Sequence, residues 1–231
     1  MSRLLDVTTS SLATGFALGA GLFASAPAAK QPARALELYE FEACPFCRKV
    51  REALSMFDLD AHVFPCPPRG TRYRPGVVER GGKAMFPYLV DRNTDVAMYE
   101  SDEIIRYLAS TYQVASIPRT LRMGPLTNFR SFAASAVRMK TGKLRASRAP
   151  KEMLELYSFE ASPFCRIVRE TLTAFELPYK LHNVARGSSK RDAFLARSGK
   201  MMVPYLIDPN EQVEMFESAE IVRYLERTYG A

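Results

Sequence analysis

The stretch EFEACPFCRKVRE occupies residues 40–52, and a near copy, SFEASPFCRIVRE, occupies residues 158–170. Two further motifs recur in the same order: FPYLVD (86–91) as VPYLID (203–208), and YESDEIIRYL (99–108) as FESAEIVRYL (216–225). The offset is 118 residues at the first motif and 117 at the other two, and we expect the missing residue where the first helix runs into the second strand. Ordered motifs that occur twice indicate duplication, so the chain is predicted to contain two homologous domains.

Each copy has the pattern β-α-β-α-β-β-α, which places the chain in the α/β class. In the first copy, the apolar run from Leu36 to Phe41 predicts a buried strand, and Pro45 stands where proline favours the start of a helix. Three more strands are predicted, at Val63–Cys66, Phe86–Asp91 and Val96–Tyr99. Two more helices are predicted, one at Pro75–Arg80 between the first two of these strands and one after the last, with Ser101 as its N-cap. In the second copy, Ser189 to Asp192 has the spacing of a capping box.

The proposed domains are residues 1–117 and 118–231, each beginning with a helical arm. Residues 1–30 have the apolar core and small residues of a secretory or targeting segment. A similar helical stretch precedes the second copy, and in the middle of the chain it cannot be a signal. Gly21 of the first stretch corresponds to Gly142 of the second. We therefore interpret residues 1–30 as the arm of the first domain, with a cleaved targeting peptide as the alternative.

Composition narrows the class of protein. The 231 residues are 47% hydrophobic and 25% charged, as in ordinary globular proteins. Four cysteines are too few and too unevenly spaced for a secreted disulfide scaffold, so a lone C-x-x-C favours redox chemistry in a reducing compartment. With two histidines in no ligand spacing, no metal is expected.

The net charge of +7 is concentrated in one segment. Residues 119–151 contain nine Lys or Arg and no Asp or Glu, although no motif of nucleic-acid binding accompanies them. Such a connector is usually a solvated surface, and it could also meet an acidic partner or a membrane surface. Nucleic acid is not an expected partner, and the oligomeric state stays open.

The C-P-F-C motif lies at a predicted strand-to-helix junction. A thiolate at Cys44 would be stabilised there by the helix N-terminus and by Arg48 and Lys49 one turn further on. Such surroundings lower the pKa of a thiol. Cys47 lies inside the helix and suits the role of resolving thiol. Two inert buried cysteines are the structural alternative.

The three motifs in this order resemble the glutathione-binding, thioredoxin-fold half of glutathione transferases and glutaredoxins, and in particular tandem proteins built from the transferase N-terminal domain. The resemblance covers about residues 36–112 and 154–229. It implies two tandem thioredoxin-like domains with glutathione as co-substrate. It is specific for the fold and for glutathione recognition, and much less specific for a reaction.

The resemblance also implies site residues. Pro87 and Pro204 match the family's cis-proline, and the residues before them, Phe86 and Val203, would pair their backbone with the cysteinyl part of glutathione. Two pairs match the residues that receive its γ-glutamyl end: Glu100 with Ser101, and Glu217 with Ser218. On surface helices, Arg48 and Arg166 are weaker candidates for its glycyl carboxylate, with no specific role as the alternative.

The chain also departs from the family. A full transferase continues into a large all-helical domain that completes the pocket for the electrophile, whereas residues 113–150 are too short for one, which puts a pocket for bulky substrates in doubt. In the second copy Ser162 replaces the cysteine and Cys165 remains. A serine cannot form a mixed disulfide, but it can donate a hydrogen bond to a bound glutathione thiolate.

These observations predict a glutathione-dependent thiol–disulfide oxidoreductase that acts through Cys44 and Cys47. The second domain is expected to bind glutathione, with Cys165 in the binding site, and to be either a non-redox domain or a serine-type domain in which Ser162 is the catalytic residue; a role in packing alone is the alternative. A transferase for a small electrophile, a non-catalytic binding or assembly subunit, and an iron–sulfur cluster shared between chains remain alternatives. The expected location is the cytoplasm, or an organelle stroma if residues 1–30 are a targeting segment.

Overall fold

The computed structural model describes residues 3–16, 19–122, 124–136, 138 and 141–231. The helices within these residues are α1 (Arg3–Phe16), α2 (Pro45–Met56), α3 (Arg74–Gly81), α4 (Ser101–Thr111), α5 (Arg119–Arg122), α6 (Pro125–Ala136), α7 (Pro163–Ala174), α8 (Arg191–Ser198) and α9 (Ser218–Tyr229). The strands are β1 (Leu36–Glu40), β2 (Ala61–Pro65), β3 (Tyr88–Asp91), β4 (Val96–Met98), β5 (Leu154–Ser158), β6 (Tyr179–Asn183), β7 (Tyr205–Asp208) and β8 (Val213–Phe216).

Each copy has the predicted order of elements, and both form thioredoxin-like α/β units. Strand β1 pairs with β2 in parallel and with β3 in antiparallel orientation, and β5 pairs with β6 and β7 in the same way. No large all-helical domain follows either unit within the described residues.

The two units are joined at the edges of their sheets. Strand β2 pairs antiparallel with β6, with Ala61 opposite Leu181 and Val63 opposite Tyr179. A single sheet of the order β4-β3-β1-β2-β6-β5-β7-β8 results, with approximate two-fold symmetry. Each unit thus covers the exposed strand edge of the other.

The strand registers correct the position of the missing residue. Leu36 lies opposite Ala61 in the first copy, and Leu154 lies opposite Tyr179 in the second, so the offset of 118 persists through β2 and β6. The residue is lost in the loop that leads into α3, because Tyr73 and Lys190 are the corresponding N-caps and lie 117 residues apart. The predicted position before the second strand is wrong.

The two arms cross over between the units. Helix α1 packs chiefly on α7 of the second unit and on α6, while α6 packs on α2 of the first unit. These contacts use hydroxyl groups, since Ser10 Oγ donates to the Pro163 carbonyl at 2.8 Å and Thr14 Oγ1 donates to the Ala161 carbonyl at 2.9 Å. The division of the chain into domains 1–117 and 118–231 stays a prediction. In the folded chain, each arm packs against the unit that it does not directly precede.

Candidate active site

Cys44 lies at the junction of β1 and α2. It is the N-cap of α2, and its Sγ accepts a hydrogen bond from the Cys47 amide at 3.3 Å. Pro45 follows at the first helical position, where a missing N–H costs nothing. The helix therefore presents its N-terminus to the Cys44 sulfur, as the sequence predicted.

The two thiols differ in acidity. The hydrogen bond from the Cys47 thiol is the main factor that lowers the pKa of Cys44, and backbone amides of Cys47 and Phe46 add to it against the opposing effect of burial. Burial, followed by the interaction with Cys44, raises the pKa of Cys47 well above its usual value. Cys44 is thus the thiol that ionises first.

The proline motif lies against Cys44. Phe86–Pro87 and Val203–Pro204 are both cis peptide bonds, as the resemblance implied. The Cys44 Sγ lies 3.8 Å from the carbonyl oxygen of Phe86, so the backbone before Pro87 faces the thiol.

The residues at the start of α4 correct one detail of the sequence analysis. Ser101 is the first residue of the helix and not its N-cap; the N-cap is Glu100, which has a φ of 68° and no side-chain capping bond. Glu217 has the same conformation before α9, with a φ of 69°. In both copies the serine is buried and the glutamate is exposed.

The predicted capping box at Ser189 is also wrong, because the N-cap of α8 is Lys190 and makes no side-chain capping bond.

Helix α2 carries an ion pair that the second copy lacks. Lys49 is buried, and its Nζ contacts Asp102 Oδ1 at 2.5 Å and Asn128 Oδ1 of α6 at 2.8 Å. The equivalent positions in the second copy hold Ile167 and Ala219. Lys49 therefore links α2 to the first turn of α4 and to α6 of the connector, a link that Ile167 and Ala219 cannot form in the second copy.

Arg48 and Arg166 are not surface residues, contrary to the sequence-based expectation. Arg48 is 1% exposed; its Nε donates to Ser135 Oγ at 3.2 Å, and its Nη1 donates to Glu160 at 3.3 Å. Arg166 is fully buried and donates from Nη1 to the Ser10 carbonyl at 2.7 Å. Both guanidinium groups hold the arms and the two units together, so neither enters the site that we propose for glutathione.

These arginines belong to a buried ionic cluster between the two units. Its core is reciprocal: Arg51 Nε contacts Glu160 Oε2 at 3.0 Å, and Arg169 Nε contacts Glu42 Oε2 at 2.9 Å. The four arginines around Glu160, led by Arg169, lower its pKa to about 2 against the opposing effect of burial. Because a buried charge is stable only when it is paired, the cluster locks one unit against the other.

Glu40 is the exception within this cluster. Arg51 contacts one of its oxygens, and the other, Oε1, is buried without a hydrogen bond. Burial is the main cause that raises its pKa, to about 7; Glu42 and Glu160 add to the effect, and Arg51 opposes it. The second copy has Ser158 at this position, so the copy that has Ser162 in place of Cys44 also lacks this carboxyl group.

Arg74 is a candidate that sequence reasoning missed. Its guanidinium carbon lies 4.5 Å from the centre of the Phe86 ring, and its Nε donates to the Cys66 carbonyl at 3.1 Å. Arg191 occupies the equivalent place and donates to the Val184 carbonyl at 2.9 Å. The available signal was an arginine at the start of the same helix in both copies.

The second copy reproduces the geometry with oxygen in place of sulfur. Ser162 is the N-cap of α7, and its Oγ accepts from the Cys165 amide at 3.2 Å. Cys165 is fully buried, and burial raises its pKa. Val203 and Pro204 precede β7 as Phe86 and Pro87 precede β3.

A cavity of about 640 Å³ lies beside Cys44. One wall is the loop from Phe41 to Pro45, and another comes from the connector, through Phe132, Ser135 and residues 141–144. The connector is too short for an all-helical domain, but it lines a cavity next to the thiol, and the doubt about a pocket for bulky substrates stays a prediction.

Part of the basic connector is engaged within the chain. Arg138 pairs with Glu170 at 2.5 Å, and Arg145 pairs with Glu226 at 2.6 Å. The side chain of Arg130 and residue Lys140 lie outside the described residues. A docking role for the segment remains a prediction.

The described residues contain neither a cluster suited to a metal ion nor a membrane-spanning helix. No group of three or more His, Cys, Asp or Glu side chains there is arranged to hold a metal ion. Within the same ranges, no helix combines the length and the apolar composition that crossing a bilayer requires.

Comparison with known families agrees with the repeated geometry. The model of the glutathione S-transferase N-terminal domain matches the chain twice, over residues 38–116 and 156–231. The chain belongs to this family. The matches show two tandem copies of the transferase N-terminal domain, and the match to each copy includes its helix-capping cysteine or serine and its cis-proline.

Individual relatives add little to the family assignment. A comparison with curated proteins gives no match. Among solved structures, a Bombyx mori glutathione transferase is 24% identical with a TM-score of 0.32, over 36% of this chain and 38% of that one. A Leishmania protein described as a trimeric glutathione transferase is 14% identical with a TM-score of 0.31, over 86% of this chain and 68% of that one. The assignment thus depends on the two family matches.

Proposed function

We propose that this chain is a glutathione-dependent thiol–disulfide oxidoreductase in which Cys44 is the nucleophile. The observation that supports this most directly is the hydrogen bonding of its sulfur by the Cys47 amide at 3.3 Å, together with the lowered pKa of the thiol. Exchange proceeds through the thiolate, so a thiol that ionises readily at the edge of a cavity has the property that the reaction needs.

The reaction exchanges one disulfide for another. The Cys44 thiolate attacks the glutathione sulfur of a mixed disulfide, the bond from Cys44 to glutathione forms, and the other half leaves as a thiolate. A second glutathione thiolate then attacks, releasing oxidised glutathione and regenerating Cys44. Alternatively Cys47, after losing its proton, attacks the Cys44 sulfur and releases reduced glutathione; the Cys44–Cys47 disulfide that forms is then reduced by two further glutathione molecules, which leave as oxidised glutathione. The raised pKa of Cys47 favours the first route.

Glutathione would lie along the backbone before Pro87. The carbonyl of Phe86 faces Cys44 and suits pairing with the cysteinyl part. Ser101 and the first amides of α4 suit the α-carboxylate of the γ-glutamyl end, and the exposed Glu100 suits its ammonium group. For the glycyl carboxylate we propose Arg74 in place of Arg48, because Arg74 lies beside Phe86 and is half-buried.

The second copy would bind glutathione without exchanging disulfides. Ser162 occupies the capping position, and its hydroxyl can donate to a bound thiolate but cannot form a disulfide. Val203, Pro204, Glu217 and Ser218 repeat the arrangement of the first copy. Cys165 is buried with a raised pKa and is not proposed to react.

A second candidate is the transfer of glutathione to a small electrophile. The cavity beside Cys44 favours it, because its volume of about 640 Å³ lies within the usual range for sites that hold a small molecule. In that case the glutathione thiolate would attack the electrophile, and Cys44 would not form a disulfide.

The test is glutathione-dependent reduction of a glutathionylated peptide. We expect turnover by the wild-type protein and its loss in Cys44→Ser, while the matched variant Cys165→Ser in the second copy keeps it. Turnover that survives in Cys44→Ser would contradict the proposal. Conjugation of a small electrophile by a protein inactive on the peptide would favour the transferase.

A further inference from the structure

The two units differ in the segment that follows each arm. The Ala26 amide donates to the Met56 carbonyl at 3.0 Å, and the Arg145 amide donates to the equivalent Ala174 carbonyl at 2.8 Å, so Ala26 and Arg145 correspond. Upstream, Gly21 and Gly142 match and both have positive φ. Four residues (22–25) separate these points in the first segment and two (143–144) in the second. The second segment is therefore two residues shorter.

The longer first segment pairs its backbone with the loop that precedes α8 in the second unit. Phe23 forms a β-bridge with Arg186, in which the Arg186 amide donates to the Leu22 carbonyl at 3.0 Å and the Ala24 amide donates to the Arg186 carbonyl at 2.8 Å. The residue of the first unit equivalent to Arg186 is Pro68, which has no N–H to donate. No equivalent bridge occurs there among the described residues, and the cavity lies beside Cys44 instead.

The second unit holds the walls of this cavity in place. Glu176 accepts hydrogen bonds from the amides of Thr71 and Arg72, both at 3.2 Å, which fixes the loop that carries Arg69. On the other side, Arg138 binds Glu170 of α7 through two nitrogens, at 2.6 and 2.5 Å. The first unit and the connector thus line the cavity, and hydrogen bonds to the second unit hold both walls.

The lining of the cavity combines apolar side chains with positive charge. Most of the lining is apolar, and the described residues that line the cavity include no carboxylate. The apolar side chains are Phe41, Ala43, Pro45, Pro68, Phe132 and Leu144. Two cationic residues line the cavity, Arg69 on the loop and Lys143 on the connector, and both are exposed to solvent.

We infer that this cavity binds the non-glutathione half of the substrate, and that this half is an apolar, preferably aromatic, group carrying a carboxylate or another anion. The inference depends on the proposed function. Glutathione lies along Phe86, the Cys44 thiolate attacks its sulfur, and the aromatic thiolate leaves into the cavity. Phe132 and Leu144 contact the ring, while Arg69 and Lys143 bind its anionic group.

The experiment compares two mixed disulfides of glutathione, one with 5-thio-2-nitrobenzoate, an aromatic carboxylate, and one with the neutral 4-nitrothiophenol. We expect the wild-type kcat/KM to be roughly fivefold higher for the carboxylate, the upper end for an ion pair between solvent-exposed groups. The double variant Arg69→Gln, Lys143→Gln should abolish that ratio. The matched control Arg122→Gln, Lys151→Gln removes two charges from the connector away from the cavity and should keep it.

A binding measurement separates this inference from the proposed function. The probes are the two thioethers of glutathione with the same aryl groups, which cannot be reduced, and titration calorimetry gives their affinities. If neither disulfide is reduced but the carboxylate thioether binds more tightly through Arg69 and Lys143, the proposed function fails and the cavity assignment stands. Equal turnover of both disulfides, or a preference that survives in the double variant, overturns the assignment while the function stands.

Discussion

Glu40 makes the stability of the fold depend on pH in a defined direction. Its pKa is raised from the ordinary value of 4.5 to about 7, so the folded protein holds a proton between these values that the unfolded chain releases. The free energy of unfolding therefore falls as the pH rises through this window. The interval from 4.5 to about 7, at about 1.36 kcal/mol per pH unit, gives a loss of roughly 3 kcal/mol above pH 7.

Glu40→Gln tests this directly, because glutamine keeps the size of the protonated side chain and cannot ionise. We expect denaturant unfolding to give similar free energies for wild type and variant at pH 5, and a variant more stable by roughly 3 kcal/mol at pH 8. Glu37→Gln, on the same strand, is the matched control and should not reproduce the gain. If the Glu40→Gln variant is less stable than wild type at pH 8, the bond to Arg51 outweighs burial and the reasoning is refuted.

Further predictions concern the other buried charges. Glu160→Gln should cost about 3–5 kcal/mol at pH 7, because it leaves buried arginines uncompensated, and the wild-type advantage should vanish in unfolding curves as the pH falls towards 2. Asp102→Ala should destabilise more than Lys49→Ile, since Lys49 is buried and Asp102 is half-exposed. The double variant, which copies Ile167 and Ala219, should cost less than Asp102→Ala alone; a larger cost in the double-mutant cycle would contradict this.

Much of the fold follows from local sequence. The alternation of apolar runs and turns predicts every strand and helix of the repeated unit, and Pro45 predicts the start of α2. The duplicated motifs predict two units of one kind. These features depend on residues close together in the chain, where propensity, capping and periodicity act.

The errors arise where the partner lies far away in sequence. On a single helix, Arg48 and Arg51 look like a solvated face, and nothing local shows that Glu160 of the other unit buries them. The joining of β2 to β6 is equally remote, since each strand alone reads as a sheet edge. The cavity lies where the first unit has Pro68 and where the connector is two residues shorter than the matching segment after the first arm. These differences become visible only when the structurally equivalent residues of the two units are known.

The candidate site was predictable in its chemistry and less so in its details. The positions of Cys44 and Cys47 follow from the C-P-F-C motif, because a helix N-terminus has strong local signals, whereas the cis-prolines follow only from the resemblance to the family. The conformation of Glu100 does not, since a positive φ at a glutamate has no composition signal. Arg74 escaped because its role depends on contact with Phe86.

The most direct test of the central claim is the site of reaction with oxidised glutathione. A Cys47→Ser variant, which cannot resolve the mixed disulfide, is treated with oxidised glutathione, digested and analysed by mass spectrometry. The account predicts one glutathionyl group per chain, attached to Cys44, with Cys66 and Cys165 unmodified because both are buried and have raised pKa values. A group attached to either of those cysteines, or no adduct at Cys44, would contradict it.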